Sequence, residues 1–439
     1  MTKPLSILFV VLLAITLTEP SFAKENHAAL AAKAVSKNSI ESASAIAELR
    51  SLGPGGLQTL IEVNRQLINQ YLANPTLAPT PEWQRLAASL DAVSQQRNSY
   101  LSGLYWYTDL AEAQKAAAAS GKPILSLRLL GKLTDELSCA NSRFFRTVLY
   151  SNAEVATTLR DRFILHWETF RPVPLITIDF GDGRKLVRTI TGNSIHYVLD
   201  TEGRLIDGLP GLYGPNAFLR GIGEAETIFT RIRESKPEYR EGLLANYYRA
   251  RINRISVEWL NDVKKIGGKE PEGVMIERDP NGDALSVAPL AVSKAMTETT
   301  MLRAMVYVSE ALGRITDEEA WKKIAALHRD DAQLDQRSIG LIKRQTQGLP
   351  DAAKSLNRLL QTFQESVALD SVRNEYRLHT KLYSWLVVDR RRSDLVALNE
   401  KVYAELFVTP RSDPWLGLLP GDVYTGLDNG GVVKNLLTK

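Results

Sequence analysis

Between Tyr105 and Gly223 the chain alternates amphipathic stretches with short apolar runs rich in leucine, isoleucine and valine, and this alternation limits its folds more than any other feature. The stretch "TDLAEAQKAAAASGKP" predicts a helix capped by Thr108 or Asp109 and stopped at Gly121, and it feeds into a strand, "PILSLRLL", over Pro123–Leu130. A helix through "AEVATTLRDRF" leads to a second strand, "FILHWETF". In "LITIDFGDGRKLVRTI" two alternating strands flank Gly181-Asp182-Gly183, a hairpin signal. "SIHYVLDTEGRLIDGLPGL" reads as strand, turn at Glu202-Gly203 and strand, and a helix starts near Pro215. These segments predict an α/β layer.

The flanks are helical. From Ala28 to about Arg97, "SAIAELRSLGPGGLQTLIEVNRQL" places two helices either side of Gly53-Pro54-Gly55-Gly56, a HEAT-like hairpin that must pack on the neighbouring part of the chain, because one repeat cannot bury its own face. "LANPTLAPTPEW" has the proline density of a connector. From Glu224 onward helices are predicted again, over 297–312, from Thr316 with Glu319 as a capping box, over 350–370 and over 372–388. "GGKEPEGVMIERDPNGDALS" reads as a loop, and the Pro/Gly-rich tail with Trp415, Leu416, Leu418 and Leu419 as an ordered arm. At 439 residues a division into several domains is expected: 1–23 a signal peptide, 24–100 a helical module, 101–223 the α/β domain, and 224–439 a mostly α-helical domain ending in an irregular arm.

"MTKPLSILFVVLLAITLTEPSFA" has a lysine near its start, an apolar run from Leu5 to Leu17, and Ser21 and Ala23 where a signal peptidase reads small residues. The run is shorter than the roughly 20 residues of a membrane-spanning helix. The expectation is export to a periplasm or the cell exterior, cleavage after Ala23 and no transmembrane segment in the mature chain. With 54 Lys and Arg against 50 Asp and Glu the formal charge is +4, so no basic field argues for nucleic acid. Arg390-Arg391-Arg392, flanked by Asp389 and Asp394, reads as a solvated helix end or turn.

An oxidising compartment makes the single cysteine notable. Cys139, in "ELSCANSRFF", has no internal partner, so it is either buried and inert or free to form an intermolecular disulfide. Eleven positions on stands Tyr150, then "SNAEVATTLRDRFILHWE", and later "GNSIHYVLDTEGR". In this order and spacing the middle of the chain resembles the thioredoxin-like superfamily, in particular the variant at the front of larger bacterial and spermatogenesis-associated proteins. The resemblance implies a thioredoxin-like α/β domain with Cys139 at a helix start and Ser194 and Ile195 in the substrate-docking segment.

Two departures bear on chemistry. The family's second cysteine falls on Ser142, which cannot resolve a mixed disulfide. Its cis-proline falls on Ser194, where a cis bond would cost on the order of 3 kcal/mol. A helix-start thiol near Lys132, Arg143 and Arg146 is expected to have a lowered pKa. The expected function is a binding or scaffolding module for another exported protein, with no cofactor. The alternative is a monothiol redox protein using Cys139 for mixed-disulfide or sulfenic-acid chemistry.

Other candidates are weaker. His166 and His196 fall on strands beside that of the cysteine and admit a Cys/His pair, but their spacing is not that of a zinc motif. Asp179, Asp182, Asp279 and Asp283 lack the calcium-loop ligand pattern and read as turn formers. Glu375 and His379 in "NEYRLH" share a helix face and read as a surface pair. No phosphate loop or nucleophile elbow is present. A hydrolytic site in the helical C-terminal half is a third reading, for which the sequence names no residues.

Overall fold

In the computed structural model the described residues are 21–271, 274–278, 285–289, 308–349, 351–388, 394–416, 419, 422 and 424–432. Five helices come first: α1 (Ser21–Ala34), α2 (Ser39–Ser51), α3 (Pro54–Val63), α4 (Arg65–Ala73) and α5 (Pro81–Ser94). Local sequence sets their ends. The Asn38 side chain accepts from the backbone N–H groups of Ile40 and Glu41 at the start of α2, and Thr80 accepts from Trp83 at the start of α5, whose first residue is Pro81. These helices bury their own core around Leu49, Leu57, Leu60, Leu86 and Leu90. It is tied to the rest of the chain by Arg50, which donates to the carbonyls of Val93 and Trp106 at 2.8 and 2.5 Å.

The hairpin expected around Gly53-Pro54-Gly55-Gly56 is present as α2 and α3. They approach so closely that a Cβ on Gly56 would lie 2.0 Å from the Leu49 carbonyl oxygen. Gly56→Ala is therefore expected to destabilise the chain by about 1–3 kcal/mol, read from the urea midpoint. An unchanged midpoint would mean that α2 and α3 separate without penalty.

The α/β part comes next, with α6 (Ser99–Ser102), β1 (Trp106–Tyr107), α7 (Leu110–Ser120), β2 (Ile124–Leu130), α8 (Ala140–Phe144), α9 (Ala153–Arg162) and β3 (Ile164–Arg171). It continues with β4 (Leu175–Asp179), β5 (Lys185–Thr189), β6 (Ser194–Leu199), β7 (Leu205–Pro210) and α10 (Pro215–Glu234). Asp109 caps α7 and Gly121, at φ 70°, ends it. The fold class is mixed α/β, with a five-stranded mixed sheet among many helices. Strand order is β1-β3-β2-β6-β7: β1, β3 and β2 run parallel, and β6 and β7 are antiparallel. β2, at the centre, is buried along its whole length: one face carries Leu125, Leu127 and Leu129, and the other Ile124, Ser126, Arg128 and Leu130, where Ser126 bonds His166 and Arg128 pairs with Glu168.

The β4–β5 hairpin pairs only with itself and holds Leu175, Ile176 and Ile178 in solvent. No helix joins β3 to β6, and the sheet face left open there is covered from the far end of the chain. Tyr403 stacks on Phe170 of β3 at 3.8 Å, and the Tyr197 hydroxyl of β6 donates to Asn399 at 3.2 Å.

The C-terminal half comprises α11 (Pro237–Lys265), the antiparallel pair β8 (Val274–Arg278) and β9 (Leu285–Pro289), and a helical stretch over 308–315. Beyond these lie α12 (Glu318–Leu327), α13 (Gln336–Thr346), α14 (Ala352–Arg373), α15 (Thr380–Val388) and α16 (Leu395–Lys401). π-Helical turns occupy Asn374–His379, between α14 and α15, and Val402–Leu406, after α16.

Several expectations are corrected here. A boundary at 223 would cut α10, whose apolar stripe of Phe218, Ile222, Ala225, Phe229 and Ile232 runs straight past Gly223. One hydrophobic core extends from Leu104 to Leu406, so residues 101–223 and the helices after them are packed as one body. The cap of α12 is Asp317, which accepts from Ala320, because the Thr316 hydroxyl is already taken by the Leu312 carbonyl and the Trp259 indole. The stretch read as a loop contains the pair β8 and β9. In the tail, Arg171 donates to the carbonyls of Pro410, Asp413 and Pro414, while Trp415 stays half exposed. The apolar run up to Leu17, Arg390-Arg391-Arg392, Asp279, Asp283 and Leu418 lie outside the described residues, as does most of 297–312.

Candidate functional site

Cys139 stands between β2 and α8 as the N-cap residue of α8. Its Sγ accepts from the Ser142 backbone N–H at 3.4 Å, and its own N–H donates to Leu130 at 3.4 Å. The side chain has no exposure to solvent. The expectation of a lowered pKa is corrected by this burial, which raises the thiol's pKa. The opposing backbone N–H groups and the Arg143 charge do not make up the difference. Arg146 is engaged elsewhere, donating to the carbonyls of Asp135 and Glu136, and Lys132 is exposed. The Ser142 hydroxyl is buried without a hydrogen-bond partner.

Ser194 begins β6, and no cis peptide bond occurs among the described residues. Its carbonyl accepts from Gly211 at 2.8 Å, its hydroxyl accepts from Asn141 at 2.9 Å, and Ile195 beside it is fully buried. The segment just before is occupied too. Asn193 donates to the Thr409 hydroxyl at 3.0 Å, and the Tyr403 hydroxyl donates to the Asn193 carbonyl at 3.3 Å. Tyr403 also lies near Cys139.

The histidines do not join this group. His166 pairs in register with Ser126 of β2, and His196 with Leu127, so they point to opposite faces of the sheet. His166 Nδ1 bonds Ser126 at 2.9 Å and His196 Nε2 bonds Tyr150 at 2.7 Å. Burial pushes each imidazole down to about 3, so both stay neutral. Asp179 and Asp182 are exposed turn residues that pair with Lys185 and Arg184, consistent with turn formation.

A second concentration of chemistry lies where α10, α11, α14 and the π-helical turn at 374–379 meet. Arg251 of α11 donates to Glu224 of α10, to Glu375 at 2.9 Å and to the Tyr383 hydroxyl at 3.2 Å. His379 bonds Glu375 at 2.9 Å and lies 3.7 Å from Asp207 of β7, which also accepts from Tyr247 at 2.5 Å. The reading of Glu375 and His379 as a surface pair is thus corrected: His379 is 1% exposed, and the turn carries it against the sheet edge. Burial pulls the His379 imidazole down, but Glu375 and Asp207 together hold it above its ordinary value. Burial likewise opposes the Glu375 charge, yet His379 and Arg251 bring its pKa to about 2.

An adjoining chain of bonds completes the cluster. Arg220 grips Asp331 through two bonds of 2.5 and 2.7 Å. His328 bonds Asp262 at 2.5 Å, and Tyr376 donates to the same carboxylate oxygen at 2.6 Å. Asp262 and Asp331 hold His328 up to about 9, so it is a cation at neutral pH. Arg254 joins Glu224 at 2.5 Å and faces Glu258 at 3.9 Å. Of these side chains, Arg220, Glu224, Arg251, Arg254, Glu258, His328, Asp331, Glu375 and Tyr376 line a cleft of about 140 Å³, with Tyr213 and Ser371 in its wall.

Most of these residues do not stand out in the sequence. A signal is nonetheless there. On α11 the buried stripe runs through Leu244, Tyr248, Arg251, Ile255, Trp259 and Asp262, so two charged residues occupy positions that packing reserves for apolar ones. Among the described residues no cluster of histidine, cysteine and carboxylate side chains has the arrangement of a metal site. No helix among them is long and apolar enough to cross a membrane. Comparison of the chain with protein families, with curated proteins and with solved structures finds no match.

Proposed function

We propose that the α/β part is a thioredoxin-like domain that has lost thiol chemistry and acts as a scaffold, with binding transferred to the helical cleft beside it. The strand order, three parallel strands followed by two antiparallel ones, supports the first half of that reading. So do the cysteine at a helix start directly after the central strand and the entry of Ser194 into β6. The observation that carries the loss of chemistry is the occupation of the docking segment by the chain itself. Tyr403 and Thr409 bond Asn193, the residue before Ser194, Ile195 is fully buried, and Cys139 has no exposure.

A scaffold of this kind would be exported and would hold exported partners without covalent exchange. The alternative, a monothiol redox protein, draws on the Ser142 N–H that points at the sulfur. An aromatic disulfide reagent applied to the intact protein across pH separates the two. Cys139 is expected to stay silent up to pH 8 and to release one equivalent of thiolate on unfolding. Reaction of the folded protein with an apparent pKa well below that of a free thiol would establish the redox reading instead.

A further inference from the structure

The β4–β5 hairpin is held by its own pairing alone, and a two-stranded hairpin is marginally stable in water without a further strand or layer against it. Its two edges are not alike. β5 carries Lys185 and Arg188, and at its end the Thr189 hydroxyl donates to the Ser138 carbonyl at 3.3 Å. β4 is exposed at every position, pairs without a bulge and has no charged residue before Asp179, its last. Lysines, bulges and internal prolines keep sheet edges from pairing with other chains, and β4 has none of them, since Pro172 and Pro174 stand ahead of it.

The Phe180 N–H donates to the Arg184 carbonyl at 3.1 Å. By antiparallel alternation Ile178 and Ile176 also direct their backbone groups to β5, and Leu175, Thr177 and Asp179 direct theirs outward. Among the described residues no other strand pairs with this edge. Side chains follow the same alternation. Ile176, Ile178 and Phe180, 39%, 45% and 55% exposed, form an apolar row on one face, and Arg184 lies over the Phe180 ring.

Two β4 strands paired antiparallel about a two-fold axis set residues of one face opposite each other. Centring the pair on Thr177 places Leu175 opposite Asp179 at both ends. Centring it on Ile176 places Phe180 opposite Pro172, outside the strand. Centring it on Ile178 places Ile176 opposite Phe180, Ile178 opposite its own copy and the Thr177 hydroxyl opposite the Asp179 carboxylate. In that register the apolar rows merge, and the outward backbone groups of Thr177 meet those of Asp179 in the second copy. The strand is thus its own complement, which favours a second copy over an unrelated peptide.

We propose that the chain self-associates through β4, two hairpins joining edge to edge into a four-stranded antiparallel sheet centred on Ile178. A five-residue strand is too short to bury by itself the roughly 1,200 Å² of a stable interface, so the dimer is reversible and concentration-dependent. This association goes beyond the scaffold reading and does not depend on it.

Sedimentation equilibrium of the full chain over a wide concentration range is expected to show a monomer–dimer equilibrium. Ile178→Lys sets two ammonium groups together on the axis, and Thr177→Pro removes an outward N–H without touching the bonds to β5. Each is expected to weaken the dimer by about tenfold, and both positions are exposed, so an unchanged melting temperature shows that the fold is intact. Ile178→Cys tests the register separately. Cysteines facing each other in a non-hydrogen-bonded pair stand about 4.5 Å apart at Cα, within disulfide reach. Mild oxidation is expected to give a covalent dimer of this variant, and none of Thr177→Cys or of the parent, whose only cysteine is buried.

A monomer at every concentration would overturn the proposal, as would a dimer indifferent to Ile178→Lys and Thr177→Pro. Cross-linking through Thr177→Cys in place of Ile178→Cys would remove the self-complementary register. Flotation with phosphatidylglycerol vesicles is run beside these, because Arg184 and Arg188 border the apolar row. A chain that floats but stays monomeric in solution would give this face to a lipid surface instead.

Discussion

Replacing Arg251 by methionine is expected to lower the unfolding free energy by about 2–3 kcal/mol, the cost of buried hydrogen bonds to charged groups. Arg251 is 6% exposed and is the shared partner of Glu224 and Glu375, whose side chains are 32% and 26% exposed. Methionine fills much of the space but removes the cation that both carboxylates share, so that Glu224 keeps only Arg254 and Glu375 only His379, and Tyr383 loses a donor. The cost is that of a buried charge cluster left one cation short rather than of a lost surface pair, which would be worth about 0–1 kcal/mol. Urea unfolding of parent and variant measures it. The double variant Arg251→Met, Glu375→Gln is expected to recover part of the loss because the cluster's excess negative charge is removed. A deficit below about 1 kcal/mol would show that water reaches these groups freely.

Between pH 6.5 and about 9 the fold is expected to lose about 3 kcal/mol through His328. The sign is set by proton affinity. The folded imidazole, bonded to Asp262 and Asp331, holds its proton more tightly than the unfolded one, so the contribution is complete below pH 6.5 and disappears as pH rises through the folded value. His328→Asn is expected to flatten this limb when stability is measured across pH. His379 contributes in the same direction, so a residual slope should remain in the variant. Parallel pH profiles for parent and variant would show that His328 titrates as an ordinary exposed histidine. On the acid side Asp331 and Glu375, both held down to about 2, withdraw their contribution as pH falls below the ordinary carboxylate range.

Much of the fold is legible from period and punctuation. The strands at Ile124–Leu130, Ile164–Arg171, Ser194–Leu199 and Leu205–Pro210 lie where apolar runs meet glycine turns, and α10 starts at Pro215. These are local signals, set by backbone freedom and side-chain alternation within a few residues. The domain boundary is not legible. Gly223 looks like a break, but it sits where α10 packs nothing against it, and glycine there does not interrupt the helix.

The candidate site is legible only in part. Cys139, Ser142 and Ser194 stand out in sequence as a group and do lie together at the end of the central strand, joined through Asn141. His166 and His196 are candidates for the same group by strand position but are separated by the sheet, because a shift of one register position reverses the face. Glu375 and His379 are visible as neighbours one turn apart. Their importance comes from Arg251 and Asp207, which lie far away in sequence.

By itself the sequence determined the local elements, the solitary thiol and the serine three residues after it, since these depend on residue type and spacing. Tertiary structure decided whether that thiol meets solvent. A segment more than two hundred residues downstream carries Tyr403 and Thr409 onto Asn193, and the burial of Cys139 in the hydrophobic core outweighs the helix-start N–H that would favour a thiolate. Tertiary structure also decided which charges meet in the cleft. Ion pairs between α10, α11, the 328–331 segment and the 374–379 turn depend on distances in space, and no local pattern encodes them.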